Sequence, residues 1–282
     1  MIKYAAIYKH REQYQISTMC RFFRVSRSGY YDYAQQVSQK DRDESLAKLI
    51  SKCQAKTNST YGYRRVKIWI QRETGDIVNH KAILRVMNKY GLLSQVRRRR
   101  KYTRYTNHMH KYDNVLNRDF KADCPNQKWV TDISYIHTKQ GVLYLSIIRD
   151  LFDNSIVSHK TGTEQTVNLV LNTVRKAKES ETVTAELQLH SDQGFQYTSH
   201  GYFNLTKEYG ITPSMSRRGN CLDNAVAENF FGILKSECIN RVIIKTINEA
   251  KRLIDEYIHF YNHERIQLKT KLTPYEKRCQ LV

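Results

Sequence analysis

The chain has 282 residues, of which 40% are hydrophobic and 26% charged, a composition typical of a globular protein with a sizeable hydrophobic core. No apolar run approaches the roughly 20 residues that span a bilayer, and the first residues lack the pattern of an export signal. The six cysteines are scattered without a Cys-x-x-Cys pair. This scatter argues against a disulfide framework and a zinc finger, and it favours reduced thiols in the cytoplasm.

The net charge of +20 is unevenly distributed along the chain. Residues 1–124 contain 27 Lys and Arg against 10 Asp and Glu, whereas residues 125–282 contain 20 against 17. A basic half joined to a nearly neutral half indicates that one part binds a polyanion and the other has a different task. Nucleic acid is favoured over an anionic membrane, because the sequence shows no amphipathic anchor.

The first third of the chain is predicted to form short helices. Apolar residues recur at helical spacing in residues 12–24, 41–56, 62–73 and 79–90. Ser26 and Asn79 are suited to cap helices, and Gly91 stands where a left-handed helix end is expected. Two short helices joined by a tight turn ahead of a basic run are typical of a helix-turn-helix, and an ordinary helical bundle would show the same pattern.

A run of basic residues follows the helical region. It consists of Arg97, Arg98, Arg99, Arg100 and Lys101. Such a run is either a solvated linker or a segment that contacts phosphates. Because it joins the helical region, residues 1–94, to a segment of different texture after Pro125, we predict a linker over residues 95–124 that lies along DNA phosphates.

The second half of the chain alternates between strand and helix patterns. Strands are predicted at 129–138, 142–151, 156–160, 184–190 and 211–214, and helices at 163–178, with Thr163 as its cap, 199–209, 223–238 and 247–262. This order predicts a mixed α/β domain over residues 125–240, followed by a helical tail over 241–282.

Three acidic residues lie in or next to predicted strands and helices in this half. Asp132 lies within the first predicted strand, Asp192 follows the fourth, and Glu228 lies early in the helix after a Gly-Asn loop. Each alone is compatible with a strand-edge, turn or solvated residue. If the first and fourth strands are neighbours, however, the three carboxylates converge, and their mutual repulsion favours a hard divalent cation between them.

The segments around these residues resemble the integrase-type DDE transposases of bacterial insertion elements, specifically their second-frame, orfB-type catalytic subunit. Thirty-five residues separate Asp192 from Glu228, the spacing that this family shares with retroviral integrases. The similar segments are Ser26–Tyr31, Tyr61–Arg65, Met87–Leu92, Pro125–Tyr135, His190–Tyr197, Ser214–Glu228, Tyr261–Arg265 and Leu272–Pro274.

The resemblance implies a ribonuclease-H-like catalytic core, a mixed five-stranded sheet with flanking helices, preceded by an all-α helix-turn-helix region. It implies Mg²⁺, with Mn²⁺ as a substitute and two ions per site, held by Asp132, Asp192 and Glu228. It further implies strand cleavage at element ends, attack of a 3′-hydroxyl on target DNA, and binding to terminal inverted repeats. The expected partners are a second copy of the chain and an upstream first-frame (orfA-type) product or fusion, in the bacterial cytoplasm at the nucleoid and without a membrane.

Several basic residues are candidates for contacts with DNA. Lys235 lies seven residues after Glu228, about two helical turns, so both side chains emerge on one helix face. The others are Arg217 and Arg218 in the loop before the catalytic helix, and Arg64 and Arg65 in the helical region. Each has the alternative of simple solvation. His190 is interpreted as a packed histidine rather than a metal ligand, and Trp129 as a core residue.

Two other functions fit part of this pattern. An integrase of retroviral or phage type would share the carboxylates, but the sequence lacks a His/His/Cys/Cys zinc module. A DNA-binding regulator with a decayed nuclease domain would share the basic half, but all three acidic residues and Lys235 are present. A transposase therefore remains the favoured interpretation.

Overall fold

The structure, a computed structural model, describes residues 2–38, 41–95, 112–183, 186–217 and 221–280. The predicted basic run from Arg97 to Lys101 and the candidate Arg218 lie outside the described residues, so their DNA-binding roles remain predictions.

The helices before the sheet form two groups of three, each around its own apolar core. The first group packs around Ile7, Cys20 and Tyr30, and the second around Ile50, Ile70 and other buried side chains. The six helices are α1 (Ile2–Lys9), α2 (Ile16–Phe22), α3 (Arg27–Ser38), α4 (Glu44–Lys56), α5 (Tyr63–Thr74) and α6 (His80–Lys89).

The predicted helix ends at Ser26, Asn79 and Gly91 are confirmed. The Gly29 backbone N–H donates to Ser26 Oγ at 3.1 Å at the start of α3. The Lys81 backbone N–H donates to Asn79 Oδ1 at 2.9 Å at the start of α6. Gly91 follows α6 with a φ of 67°, a conformation that costs other residues more than glycine.

A five-stranded mixed sheet forms the second half, in the order β3-β2-β1-β4-β5. Strands β1, β2 and β3 pair antiparallel as a meander, and β1 also pairs parallel with β4, which pairs parallel with β5. The strands are β1 (Lys128–Thr138), β2 (Gly141–Asp150), β3 (Ile156–Gly162), β4 (Gln188–Ser191) and β5 (Thr212–Met215).

Helices cover both faces of this sheet, which makes it a three-layer α/β structure. One face packs against α7 (Val167–Ser180) and α8 (His200–Glu208) around Trp129. The other packs against α9 (Ala225–Glu237) and α10 (Ile247–His263) around Phe230. The predicted mixed fold and the burial of Trp129 are confirmed, and this architecture is that of a ribonuclease-H-like core.

The structure differs from the predicted elements at several ends. Thr166, rather than Thr163, caps α7, because its Oγ1 accepts from the Leu169 backbone N–H. A 3₁₀ turn, Cys221–Asn224, precedes α9, and β4 begins only at Gln188. Helices α1 and α11 (Pro274–Cys279) were not predicted, because they have 8 and 6 residues and each buries a single side chain, too few to produce a visible apolar period.

The C-terminal segment packs against both halves of the chain. Ile266 joins the core of α4–α6, and its backbone N–H donates to Tyr61 Oη at 2.8 Å. Arg278 of α11 forms ion pairs with Asp150 and Asp153 at the end of β2, at 2.7 and 2.6 Å. Among the described residues, no helix combines the length and apolarity needed to cross a membrane.

Candidate active site

The pairing of β1 with β4 brings Asp132 and Asp192 to the same edge of the sheet. Residues Lys128–Val130 of β1 pair with residues Gln188–His190 of β4. Strand β4 ends at Ser191, whereas β1 continues to Thr138. Asp132 therefore lies on β1 just beyond the paired stretch, and Asp192 lies just after β4. The two aspartates were predicted to be neighbours if the first and fourth strands are adjacent, and β1 and β4 are adjacent in the sheet.

Backbone donors fix both aspartates. The Ile133 N–H donates to Asp132 Oδ1 at 2.8 Å, and the Gly194 N–H donates to Asp192 Oδ1 at 2.9 Å. A Cβ at position 194 would lie 2.9 Å from that same oxygen, closer than real Cβ atoms approach other atoms. A side chain at position 194 would therefore displace the Asp192 carboxylate from its present position.

Helix α9 supplies Glu228 and Lys235. Ala227, Phe231 and Leu234 are buried and hold the helix on the sheet, while Glu228 and Lys235 are half-buried. Arg149, buried on β2, donates from Nη1 to the Val226 carbonyl at 2.6 Å and so fixes the first turn of the helix. This role of Arg149 was not predicted, because its acceptor is a backbone group 77 residues away in the chain.

The four charged groups influence one another's ionisation. Burial, followed by the charges of Asp192 and Glu228, raises the pKa of Asp132 well above its usual range. Burial and Asp192 also raise the pKa of Glu228. Burial lowers the pKa of Lys235, and the charge of Asp132 opposes this shift. The three acidic side chains therefore share one electrostatic environment, in which a positive ion between them would relieve an unfavourable repulsion.

The donor set fits a hard divalent cation, because all three side chains offer carboxylate oxygens. Over the described residues, no three His, Cys, Asp or Glu side chains are close enough together to form a completed metal site.

The repulsion between the three carboxylates predicts a stability effect. Because the pKa of Asp132 is raised, its ionised form costs free energy of folding at any pH above the usual carboxyl pKa. We expect Asp132→Asn to raise the melting temperature of the metal-free protein by about 2–4 °C at neutral pH. Mg²⁺ should raise the melting temperature of the unaltered protein and leave that of the variant nearly unchanged. A variant that melts below the unaltered protein without metal would contradict this prediction.

His190 lies beside the site but is occupied by other contacts. Its Nδ1 shares a hydrogen bond with Ser214 Oγ at 2.8 Å and its Nε2 shares one with Ser216 Oγ at 3.1 Å. Burial lowers the pKa of His190 to about 4, so the ring is neutral. Both ring nitrogens connect β4 to β5 and the residue after it, which agrees with the interpretation of a packed histidine.

Asp223 is a buried anchor that the sequence analysis did not identify. Arg217 contacts its carboxylate through Nε at 2.9 Å and Arg118 does so through Nε at 2.8 Å, and these contacts hold the pKa of Asp223 far below its usual value. Asn114 donates to the same carboxylate. The loop ahead of α9 is thus tied to residues about 100 positions earlier. No local sequence pattern reveals such a pairing.

The described arginines predicted to bind DNA have different surroundings. Arg64 is exposed. Arg65 instead points inward: its Nε donates to the Ile266 carbonyl at 3.0 Å, and its side chain is only 20% exposed. The prediction that Arg65 faces a phosphate therefore needs correction, because its position on α5 is covered by the C-terminal segment. Arg217 is half-exposed and forms an ion pair with Asp223.

Two cavities differ in their relation to these residues. One, of about 550 Å³, lies between α4 and α10. Asp132, Asp192 and Glu228 line neither cavity. Another, of about 320 Å³, includes Lys235 in its wall. The smaller cavity is the one that adjoins the candidate active site.

Comparison with known protein families assigns both parts of the structure. Family models described as integrase core domain match residues 122–221 and 228–281, and one described as HTH-like domain matches residues 40–100. The two integrase matches cover the sheet, the C-terminal helices and the residues Asp132, Asp192 and Glu228. The HTH-like match covers α4–α6. Fold and site thus define an integrase core preceded by an HTH-like domain.

Sequence similarity to individual proteins identifies the family more closely. The chain is 41% identical over 272 residues to the InsK protein of insertion sequence element IS150 from Escherichia coli strain K12, covering 96% of this chain and 95% of that protein. It is 31% identical to the transposase InsF of insertion sequence IS3A from the same strain, over 85% and 84% of the two chains. The chain belongs to the DDE-type transposases of bacterial insertion elements, which are polynucleotidyl transferases.

A comparison with solved structures includes the magnesium-bound catalytic core domain of HTLV-2 integrase. It is 16% identical, covers 55% of this chain and 98% of that one, and has a TM-score of 0.45.

Proposed function

We propose that this transposase cleaves DNA strands at the ends of its insertion element and joins the resulting 3′-hydroxyl to target DNA, with Asp132, Asp192 and Glu228 as catalytic residues. The observation that carries the proposal is the convergence of three carboxylates, from β1, the end of β4 and α9, in one electrostatic environment. The class of reaction is inferred from family membership, and the location of the active site is inferred from the three carboxylates.

The site would hold two Mg²⁺ ions, with Mn²⁺ as a substitute. Asp132, Asp192 and Glu228 would hold these ions through their carboxylate oxygens. Ions bound there activate the attacking oxygen and stabilise the leaving one in phosphoryl transfer. The backbone N–H groups of Ile133 and Gly194 each donate to one oxygen of the two aspartates and so restrict their orientation.

The nucleophiles would be water in the first step and a DNA 3′-hydroxyl in the second, without a covalent enzyme intermediate. Lys235 would hold a DNA phosphate beside the cleaved bond, because its ammonium group lies close enough to Asp132 to respond to its charge. A positive charge there offsets the repulsion between DNA and the carboxylates.

DNA binding would involve residues outside the catalytic core. In the proposed division, residues 1–94 recognise the terminal inverted repeats through Arg64, the linker at 95–124 follows the phosphates with Arg97–Lys101, residues 125–240 catalyse, and residues 241–282 complete the fold. Arg217 and Arg218 would approach the DNA from the loop ahead of α9. Bringing two ends together requires at least a homodimer, with an upstream first-frame product as a further partner, and the bacterial nucleoid would be the place of action.

Lys235 provides a test of the phosphate contact. We expect Lys235→Gln to lower strand transfer about tenfold and to reduce the dependence of end binding on salt by about one counter-ion. Lys207→Gln is the matched control, because Lys207 is exposed on α8, on the opposite face of the sheet. If both variants have the same activity and the same salt dependence, Lys235 does not contact phosphate.

A cleavage assay tests the proposed function itself. A labelled duplex carrying the element's end should be nicked at the element boundary in Mg²⁺ or Mn²⁺ and remain intact in EDTA. Binding of this duplex without any metal-dependent nicking would instead favour a DNA-binding regulator.

A further inference from the structure

The cavity beside the active site has a lining unlike that of a metal site. Its volume is about 320 Å³, near the lower end of the roughly 300–1,000 Å³ range of small-ligand sites. It opens between β1 and the segment that follows α9, and its walls include Tyr135, His137, Lys235 and Asn240. None of its lining residues is acidic, so it suits a neutral or anionic group rather than a cation.

An exposed aromatic ring forms one wall of the cavity. Tyr135 follows Asp132 by three residues on β1, and 55% of its surface is exposed although it lies in the central strand of the sheet. In this part of β1 the exposed Tyr135 and His137 alternate with the buried Ser134 and Ile136, so the two rings lie on the same face of the strand. Lys235 Nζ lies 4.8 Å from the centre of the tyrosine ring, and the His137 ring lies 5.3 Å from it.

The rest of the cavity combines an apolar floor with polar groups at the rim. Ile136, Ile239 and Ile244 line it and are almost fully buried. Asn240 is exposed at the edge, where its amide can both donate and accept hydrogen bonds. An aromatic wall, an apolar floor, a side-chain amide and a cation are the groups that recognise a nucleobase and its phosphate.

We propose that this cavity binds one unpaired nucleobase of the element's end, stacked on Tyr135, with the adjoining phosphate on Lys235. The inference rests on the proposed function, since it makes the bound DNA the substrate of the neighbouring carboxylates. Lys235 connects the two sites, because it lines the cavity and also responds to the charge of Asp132. Capturing a base here would hold the strand open next to the bond that is cut.

A protein partner suits this surface less well. The cavity is a single small pocket with a positively charged group in its wall, whereas an interface between protein chains buries on the order of 800 Å² on each side and excludes charge from its centre. Binding of a second copy of this chain is the alternative that the following experiment distinguishes from DNA binding.

The experiment is a double-mutant cycle on binding, measured by fluorescence anisotropy in EDTA so that no catalysis is needed. The probes are duplexes of the element's end, either intact or with one base removed in turn at each position beside the cleaved bond. For the intact duplex, Tyr135→Ala should weaken binding by about 5- to 100-fold, and Tyr135→Phe should bind like the unaltered protein. At one position, removal of the base should weaken binding of the unaltered protein by the same factor and should not affect Tyr135→Ala.

Tyr275→Ala is the matched control, since Tyr275 is 51% exposed, also contacts a histidine ring, and does not line the cavity. Equal affinity of Tyr135→Ala and the control for intact DNA would overturn the inference. So would additive losses at every position, or a change in oligomeric state on light scattering with DNA binding unchanged. Any of these results could occur while strand transfer still depends on Asp132, which would leave the proposed function intact.

Discussion

Replacement of Asp132 or Glu228 by alanine is expected to abolish strand transfer, by at least about a thousandfold, while binding to element ends is retained. The loss is large because each carboxylate helps to hold ions that contribute several kcal/mol of transition-state stabilisation, and each 1.4 kcal/mol corresponds to a factor of ten. Binding is retained because the HTH-like domain and the basic linker lie elsewhere in the chain. Joining of labelled element ends to a plasmid target measures the first quantity, and anisotropy measures the second.

A matched control separates the triad from acidic residues in general. Asp123 is an exposed aspartate shortly before β1, and Asp123→Ala should keep both strand transfer and binding. Strand transfer that persists in Asp132→Ala or Glu228→Ala would remove that residue from the proposed catalytic set. Loss of DNA binding together with activity would indicate a structural role instead.

The second large effect concerns stability. We expect Glu237→Ala to lower the free energy of unfolding by about 3–5 kcal/mol, because it leaves a buried arginine without its partner. Glu237, at the end of α9, accepts from Arg265 at 2.7 and 2.8 Å and from Tyr257 Oη at 2.7 Å. Both members of the ion pair are less than 10% exposed. Urea denaturation, followed by circular dichroism, measures the change.

The pH dependence of this effect has a defined sign. Burial alone would raise the pKa of Glu237, but its hydrogen bond and ion pair with Arg265 outweigh burial and hold the pKa below the usual glutamate value. The ion pair therefore stabilises the fold fully above the usual glutamate pKa and is lost as the pH falls through the lowered value. The difference between Glu237→Ala and the unaltered protein should shrink accordingly in acid.

Glu256→Ala is the control for this measurement. Glu256 lies on α10 and pairs with Arg252 at 3.8 Å, with both side chains more than 60% exposed. Exposed pairs of this kind contribute about 1 kcal/mol or less. Equal destabilisation by Glu237→Ala and Glu256→Ala would contradict the structural importance assigned to the buried pair.

The sequence predicted those parts of the fold that depend on local pattern. The strand and helix alternation after Pro125 reproduced the mixed sheet, because each strand and each long helix buries a regular apolar face. The caps at Ser26 and Asn79 were predictable for the same reason, since they act on the next few residues of the chain. The neighbouring positions of Asp132 and Asp192 followed once the first and fourth strands were taken as adjacent.

The features that were missed depend on contacts between distant segments. Arg65 seemed available for DNA because a helical arginine is usually solvated, yet Ile266, about 200 residues later, accepts its hydrogen bond. Asp223 and Arg118 are 105 residues apart, and no local pattern indicates that they form a pair. The contact of Tyr135 with Lys235, 100 residues later, is likewise not revealed by the pattern along β1.

The central claim is that Asp132, Asp192 and Glu228 hold divalent cations beside the DNA bond that is cut. The most direct measurement is anomalous diffraction at the manganese edge from crystals of the protein bound to its element-end duplex and Mn²⁺. Anomalous peaks are expected between these three carboxylates and next to the phosphate at the element boundary. A complex with well-ordered DNA and no manganese at these side chains, or with manganese bound only elsewhere, would contradict it.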